Sequence, residues 1–109
     1  MQEHQMRVVH EGPVFSVETL EYEDPERGPV RKDIVRHPGA VLVIAVTEAG
    51  KLLMIRNQRV SVDRWLLEFC AGKLEPGEPP EQAARRELVE ECGREAGALV
   101  PIGSFLTSP

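Results

Sequence analysis

Three glutamates, Glu87, Glu90 and Glu91, stand at i, i+3 and i+4 inside the segment Gly72 to Gly93, which reads GKLEPGEPPEQAARRELVEECG. The segment predicts a helix from about Pro79 to Cys92. Proline is favoured at a first helical position, and Gly93 is placed as the stop. Ala84, Leu88 and Cys92 repeat at i, i+4 and i+8 and form its apolar stripe. On that helix the three carboxylates share one face, turned on the order of 100° from the stripe. The helix can therefore bury one side against a sheet and hold the glutamates at the rim of a pocket. Like charges at this spacing oppose each other by a few tenths of a kcal/mol per pair. A hard divalent cation, which prefers carboxylate and phosphate oxygens, offsets that cost. Arg86, four residues before Glu90, can orient or neutralise it. An acidic helix face taken alone is more often simply a solvated one, so the spacing by itself does not decide for a metal.

Before this helix the chain reads as strands. Val14 to Tyr22 alternates apolar and polar residues, Asp24 to Pro29 is a turn, and Val30 to Arg36 is the returning strand of a hairpin. His37-Pro38-Gly39 breaks the chain. Ala40 to Val46 is a continuous run of β-formers, which predicts a strand covered on both faces by helices. Further strands are expected at Lys51 to Arg56, Leu66 to Cys70 and Leu99 to Ile102, with a loop from Gly72 to Pro80.

The length of 109 residues suits one domain. The net charge of −5 argues against a nucleic-acid or anionic membrane surface, which needs clustered Lys and Arg. It leaves room for a small anionic ligand, because a metal ion or a few local arginines can reverse the field in one pocket. No run approaches the roughly 18 apolar residues needed to span a bilayer. Met1 to Val9 lacks the apolar middle of a signal peptide, so a cytoplasmic protein is expected. Cys70 and Cys92 form no CxxC pair and read as buried packing thiols.

The full segment resembles the Nudix box, G-x5-E-x7-R-E-U-x-E-E-x-G-U, at Gly72, Glu78, Arg86, Glu87, Leu88, Glu90, Glu91 and Gly93. At a usage of roughly 7% per residue type, a chance match at one start position is on the order of 10⁻⁸. Arg94 departs from the pattern, standing where the last position is normally aliphatic. The resemblance implies an α/β fold, a Nudix α/β/α sandwich with a mixed sheet, carrying an N-terminal antiparallel hairpin. The domain would be residues 1–109, with strands in 1–38 and the Nudix core in 39–109, box 72–94 included. The resemblance also implies roles. Glu87 and Glu91 would be metal ligands, Ala71 would offer its carbonyl, and Glu90 would be a further ligand or a partner behind one. Gly72 would permit a tight loop, and Glu78 would brace loop against helix. The cofactor would be Mg²⁺, with Mn²⁺ as a substitute, and the reaction would be attack of water on a diphosphate phosphorus.

The flanks resemble the ADP-ribose pyrophosphatase branch of that family. The residues that carry this are Asn57-Gln58-Arg59, Arg64 to Gly72, and Ser104 to Pro109. Cys70 departs from the branch, where proline is common before Ala-Gly. The implied substrate is a nucleotide sugar, ADP-ribose, cleaved to AMP and ribose 5-phosphate. Arg59 and Arg36 would contact phosphate or ribose oxygens, since arginine binds such oxygens bidentately. Glu68 would accept from ribose hydroxyls or help position metal, Phe15 would stack on adenine, and Trp65 would be a packing anchor. The hairpin resembles strands that pair two subunits, which implies a homodimer. Other nucleoside-diphosphate sugars or dinucleotides are the rival substrates. A catalytically silent nucleotide-binding module is the rival class, and the intact box glutamates weigh against it. In the branch, more chain follows the S-P element, so the sequence carries the expectation of a missing C-terminal part that holds a general base.

Overall fold

The computed structural model describes residues 4–108. The chain forms two compact units, Met1–Pro38 and Gly39–Pro109.

The first unit is a three-stranded antiparallel sheet in the order β1-β2-β3, with β1 at His4–Glu11, β2 at Ser16–Asp24 and β3 at Gly28–Arg36. The hairpin expected between Val14 and Arg36 is β2–β3. Its turn is set by Asp24, whose carboxylate accepts the N–H groups of Glu26 and Arg27 at 2.9 Å each. Those bonds, Arg27's first, hold the Asp24 carboxyl below its ordinary pKa. Gly28 leaves the turn at φ +77°, a left-handed conformation that costs glycine little. The extra strand β1 escapes a periodicity reading for a physical reason. Its register against β2 shifts between Val8 and His10, so Val9 is an inserted residue that breaks the two-residue alternation. Thr19 is buried in β2 and donates its hydroxyl to Asp33 Oδ1 at 3.1 Å.

In the second unit β4 is Ala40–Val43, β5 is Ala45–Val46, β6 is Leu52–Arg59 and β7 is Arg64–Lys73; a 3-10 turn at Val60–Val62 joins β6 to β7. The sheet order is β4-β7-β6-β5, and every pairing is antiparallel. The apolar run expected as one strand changes partner at Ile44. Ala40–Val43 pairs with β7 and Ala45–Val46 with β6, beyond the point where Met54 and Phe69 end the β6–β7 ladder. The single helix among the described residues, α1 at Pro80–Cys92, follows a loop after β7. Among those residues, no helix is long and apolar enough to cross a membrane.

Strand alternation sorts the sheet into two faces. Val43, Cys70 and Leu88 form the core between sheet and α1, with Ala45, Leu53, Ala84, Cys92 and Ala96 packed against it. This matches the stripe read from the helix. The opposite face carries Leu42, Val46, Leu52, Trp65 and Leu67, all more than half exposed. The expectation that Ala40 to Val46 is covered on both faces is therefore corrected: one described helix covers one face. Trp65, expected as a packing anchor, is 57% exposed, with the Arg56 guanidinium 5.7 Å from its ring centre. The strand expected at Leu99 to Ile102 is also absent. Val100 and Ile102 are exposed, no described strand pairs with the segment, and Pro101 has no N–H to give a ladder.

Candidate functional site

Residues Glu68, Cys70 and Gly72 alternate along the face of β7 that meets α1. The loop to the helix then turns through Glu75-Pro76-Gly77-Glu78. Proline at the second position, Gly77 at φ +71° and a Glu78 N–H to Glu75 carbonyl bond of 3.0 Å are the pattern of a type II turn. Pro79 caps the helix in an extended conformation and Pro80 occupies the first turn. At the other end Gly93 adopts φ +63°. Its N–H reaches Val89 O at 3.0 Å, the bond of an αL cap, and the Arg94 N–H reaches Leu88 O at 3.3 Å. Arg94, the departure from the box, thus contributes a backbone bond that any residue but proline would make.

Arg86 organises the acidic cluster. Its guanidinium meets Glu78 at 2.8 and 2.9 Å, Glu87 at 2.7 Å, Glu90 at 3.2 Å and the Lys73 carbonyl at 3.1 Å, and it lies 3.7 Å from Glu75. Glu78, expected to brace loop against helix, meets the helix through this one arginine. Glu87 is buried with its carboxyl group packed on Gly72, where a Cβ would collide with all three of its terminal atoms. Glu91 accepts a long bond, 3.4 Å, from the Ala71 N–H. Cys70 is fully buried, and its thiol is pushed up to about 12, first by burial and then by the Glu91 carboxylate beside it. Cys92 is only half-buried.

Beyond Glu91, Arg59 and Glu68 form a bidentate pair, with Nε to Oε2 at 2.7 Å and Nη2 to Oε1 at 2.5 Å. Asn57 donates Nδ2 to Glu68 Oε1 at 3.4 Å. Arg59 holds Glu68 below the ordinary carboxylate range, and Glu68, with a smaller contribution from Glu91, raises Arg59. Asn57, part of the Asn57-Gln58-Arg59 segment, is the site residue to which the sequence reading assigned no role. It sits diagonally across from Glu68, a relation legible only once Ile55 is known to pair with Glu68. Arg36 and Phe15 belong to the first unit. Arg36 pairs with Glu18 at 2.8 Å, and Phe15 precedes β2 with its ring against His10, 5.9 Å between centroids.

Among the described residues no group of three His, Cys, Asp or Glu side chains is already gathered to hold a metal ion. The donor chemistry nonetheless fits a hard cation. Glu87, Glu90 and Glu91 offer only carboxylate oxygens, and Arg86 now stands as counter-charge to two of them.

The Arg86–Glu78 contact makes a pH prediction. A carboxylate held below its ordinary value of 4.5 adds stability that is complete above that value. The contribution declines as the pH falls below it and is lost once the pH has dropped through the depressed value. Thermal unfolding followed from pH 7 to pH 3 should therefore show an acid limb that is shallower in Glu78→Gln. An identical limb in the variant would remove Glu78 from the acid response.

The family model described as the NUDIX domain matches residues 36–108. An ADP-ribose pyrophosphatase of Bacillus subtilis is 44% identical over 101 residues, which are 93% of this chain and 55% of that protein. A methanol dehydrogenase activator of Bacillus methanolicus is 41% identical with the same coverage. An ADP-ribose pyrophosphatase of Mycobacterium tuberculosis is 33% identical, covering all of this chain and 56% of that one. The crystal structure of an ADP compounds hydrolase superposes with a TM-score of 0.67 at 32% identity, covering 86% of this chain and 51% of the other. The chain spans about half the length of these relatives.

Proposed function

The chain belongs to the Nudix family, and from that premise we propose that it hydrolyses the diphosphate of ADP-ribose to AMP and ribose 5-phosphate with Mg²⁺ as cofactor. The observation that carries the reading is the set of Glu87, Glu90 and Glu91 on one helix face, beside Ala71 and Gly72, with no box carboxylate replaced. The similarity to two ADP-ribose pyrophosphatases supports ADP-ribose as the substrate.

In this mechanism Glu87 and Glu91 would hold the metal ion together with the Ala71 carbonyl, and Glu90 would complete or back that set. When bound, the ion supplies Lewis acidity to the phosphoryl oxygens and lowers the pKa of water. Arg86 yields Glu87 and Glu90 while Glu78 keeps hold of it, so the loop stays tied to the helix. Arg59 binds an oxygen of the diphosphate. The decisive experiment is product analysis after incubation with ADP-ribose and Mg²⁺. AMP and ribose 5-phosphate are expected; turnover of other nucleoside-diphosphate sugars or dinucleotides in preference would move the substrate, and binding without turnover would leave a silent module.

Arg59→Ala should raise KM for ADP-ribose by more than it lowers kcat, because a group that grips ground state and transition state alike contributes uniform binding. A large fall in kcat at unchanged KM would instead place Arg59 in the transition state.

A further inference from the structure

The Arg59–Glu68 pair is unusual for its location. Exposed arginine–carboxylate pairs contribute little as a rule, because side-chain entropy and solvent screening cancel the attraction. This one departs from the rule in geometry: the contact is bidentate, and the Glu68 side chain is only 21% exposed while that of Arg59 is 48% exposed. A third side chain, Asn57, also holds the acid from the half-buried middle of β6. The anchored partner is thus the carboxylate, and the arginine is what it displays.

The donor count then decides what Arg59 can do. A guanidinium carries five N–H groups in a fixed plane. Glu68 takes the Nε/Nη2 edge, which leaves the Nη1 end to meet an anion bidentately without breaking the pair. Glu91 lies within electrostatic reach of the same guanidinium, so the pair neighbours the carboxylate face of α1. A ribose hydroxyl on Glu68, by contrast, would compete with two existing charge-assisted bonds.

We propose that Glu68 and Asn57 are positioning residues: Glu68, braced by Asn57, locks Arg59 so that its outer edge faces the diphosphate, and neither residue touches the substrate. This rests on the diphosphate-hydrolysis reading above and replaces the ribose contact expected of Glu68. Holding an arginine in one rotamer before binding removes ordering entropy from the binding step, so its loss appears in KM.

The test combines a readout that needs no substrate with one that does. In the unliganded protein the Arg59 Nε–H should give a slowly exchanging ¹⁵N NMR signal, lost in Glu68→Gln and broadened in Asn57→Leu. With ADP-ribose and Mg²⁺, KM should rise about tenfold in Glu68→Gln and about threefold in Asn57→Leu, following the strengths of charged and neutral hydrogen bonds, with kcat nearly constant. In an Arg59→Ala background both increments should vanish, because the two residues act only through the arginine. A Glu68→Gln effect of full size in that background would show direct contact with substrate and overturn the proposal. So would an Arg59 signal that is unchanged in both variants. Absence of ADP-ribose turnover in the wild type would defeat the functional reading alone, and the NMR signal would still decide the positioning.

Discussion

Glu87→Gln and Glu91→Gln should each lower metal-dependent turnover by at least about a hundredfold, the scale of losing one preorganised charge contact at a reacting phosphoryl group, while the second unit stays folded. Glutamine keeps the shape of the side chain, so Glu87→Gln still fills the space against Gly72. Arg86 loses one of its carboxylates but keeps Glu78 and Glu90, so the loop remains tied to α1. Glu91→Gln disturbs even less, since among the described residues the Glu91 carboxylate accepts one long bond from the Ala71 N–H, approaches the Cys70 thiol and acts on Arg59 only at range. Removing one of two like charges at i and i+4 also returns a few tenths of a kcal/mol. Glu91→Gln should therefore melt at or slightly above the wild-type temperature and Glu87→Gln at or slightly below it. Kinetics at limiting Mg²⁺ with parallel thermal melts measure both. Activity within twofold of wild type in either variant would remove that residue from the metal site.

The helix and its two faces were legible before any coordinates, because caps, stripe and carboxylate spacing all point to the same cylinder. Pro80 and Gly93 end it within a residue of the expected places. The hairpin around Asp24 was legible for the same reason, since turn chemistry and alternation agree. What failed were inferences from composition alone. Ala40 to Val46 has the β-formers of a doubly covered strand, yet its alternate residues Leu42, Ile44 and Val46 face solvent. A run of apolar residues reports propensity and leaves open what lies across each face. Leu99 to Ile102 failed likewise: a short apolar run becomes a strand only if a partner ladder accepts it. At the site, the motif identified Glu78, Arg86 and the box glutamates, but their wiring through one guanidinium needed the fold. Arg59 and Glu68 are nine residues apart across a hairpin, and Asn57 joins them only through register.

Gly72→Ala should be nearly as damaging to catalysis as the loss of Glu87 itself, at a small cost in stability. Gly72 does not need a left-handed backbone, for its φ lies outside the positive region. An alanine is therefore acceptable to β7 as a strand residue, and the conflict is purely steric. The added Cβ falls on the Glu87 carboxyl group, which is buried and held by Arg86. A side-chain terminus can swing aside more readily than backbone can, so the overpacking cost should lie near the low end of the usual range, about 1 kcal/mol. That movement takes the carboxylate away from the metal position, and a displacement of roughly 1 Å at a catalytic group can cost about a hundredfold in rate. The stability part has an internal control. In a Glu87→Ala background the three atoms nearest the added Cβ are gone, so adding Gly72→Ala there should cost less in melting temperature than it does in the wild type, a non-additivity that identifies the pair as touching. Activity should stay low in both single variants and in the double. Wild-type kcat in Gly72→Ala would mean that Glu87 does its work from somewhere other than the cradle on Gly72, and the metal assignment would then have to rest on Glu90 and Glu91.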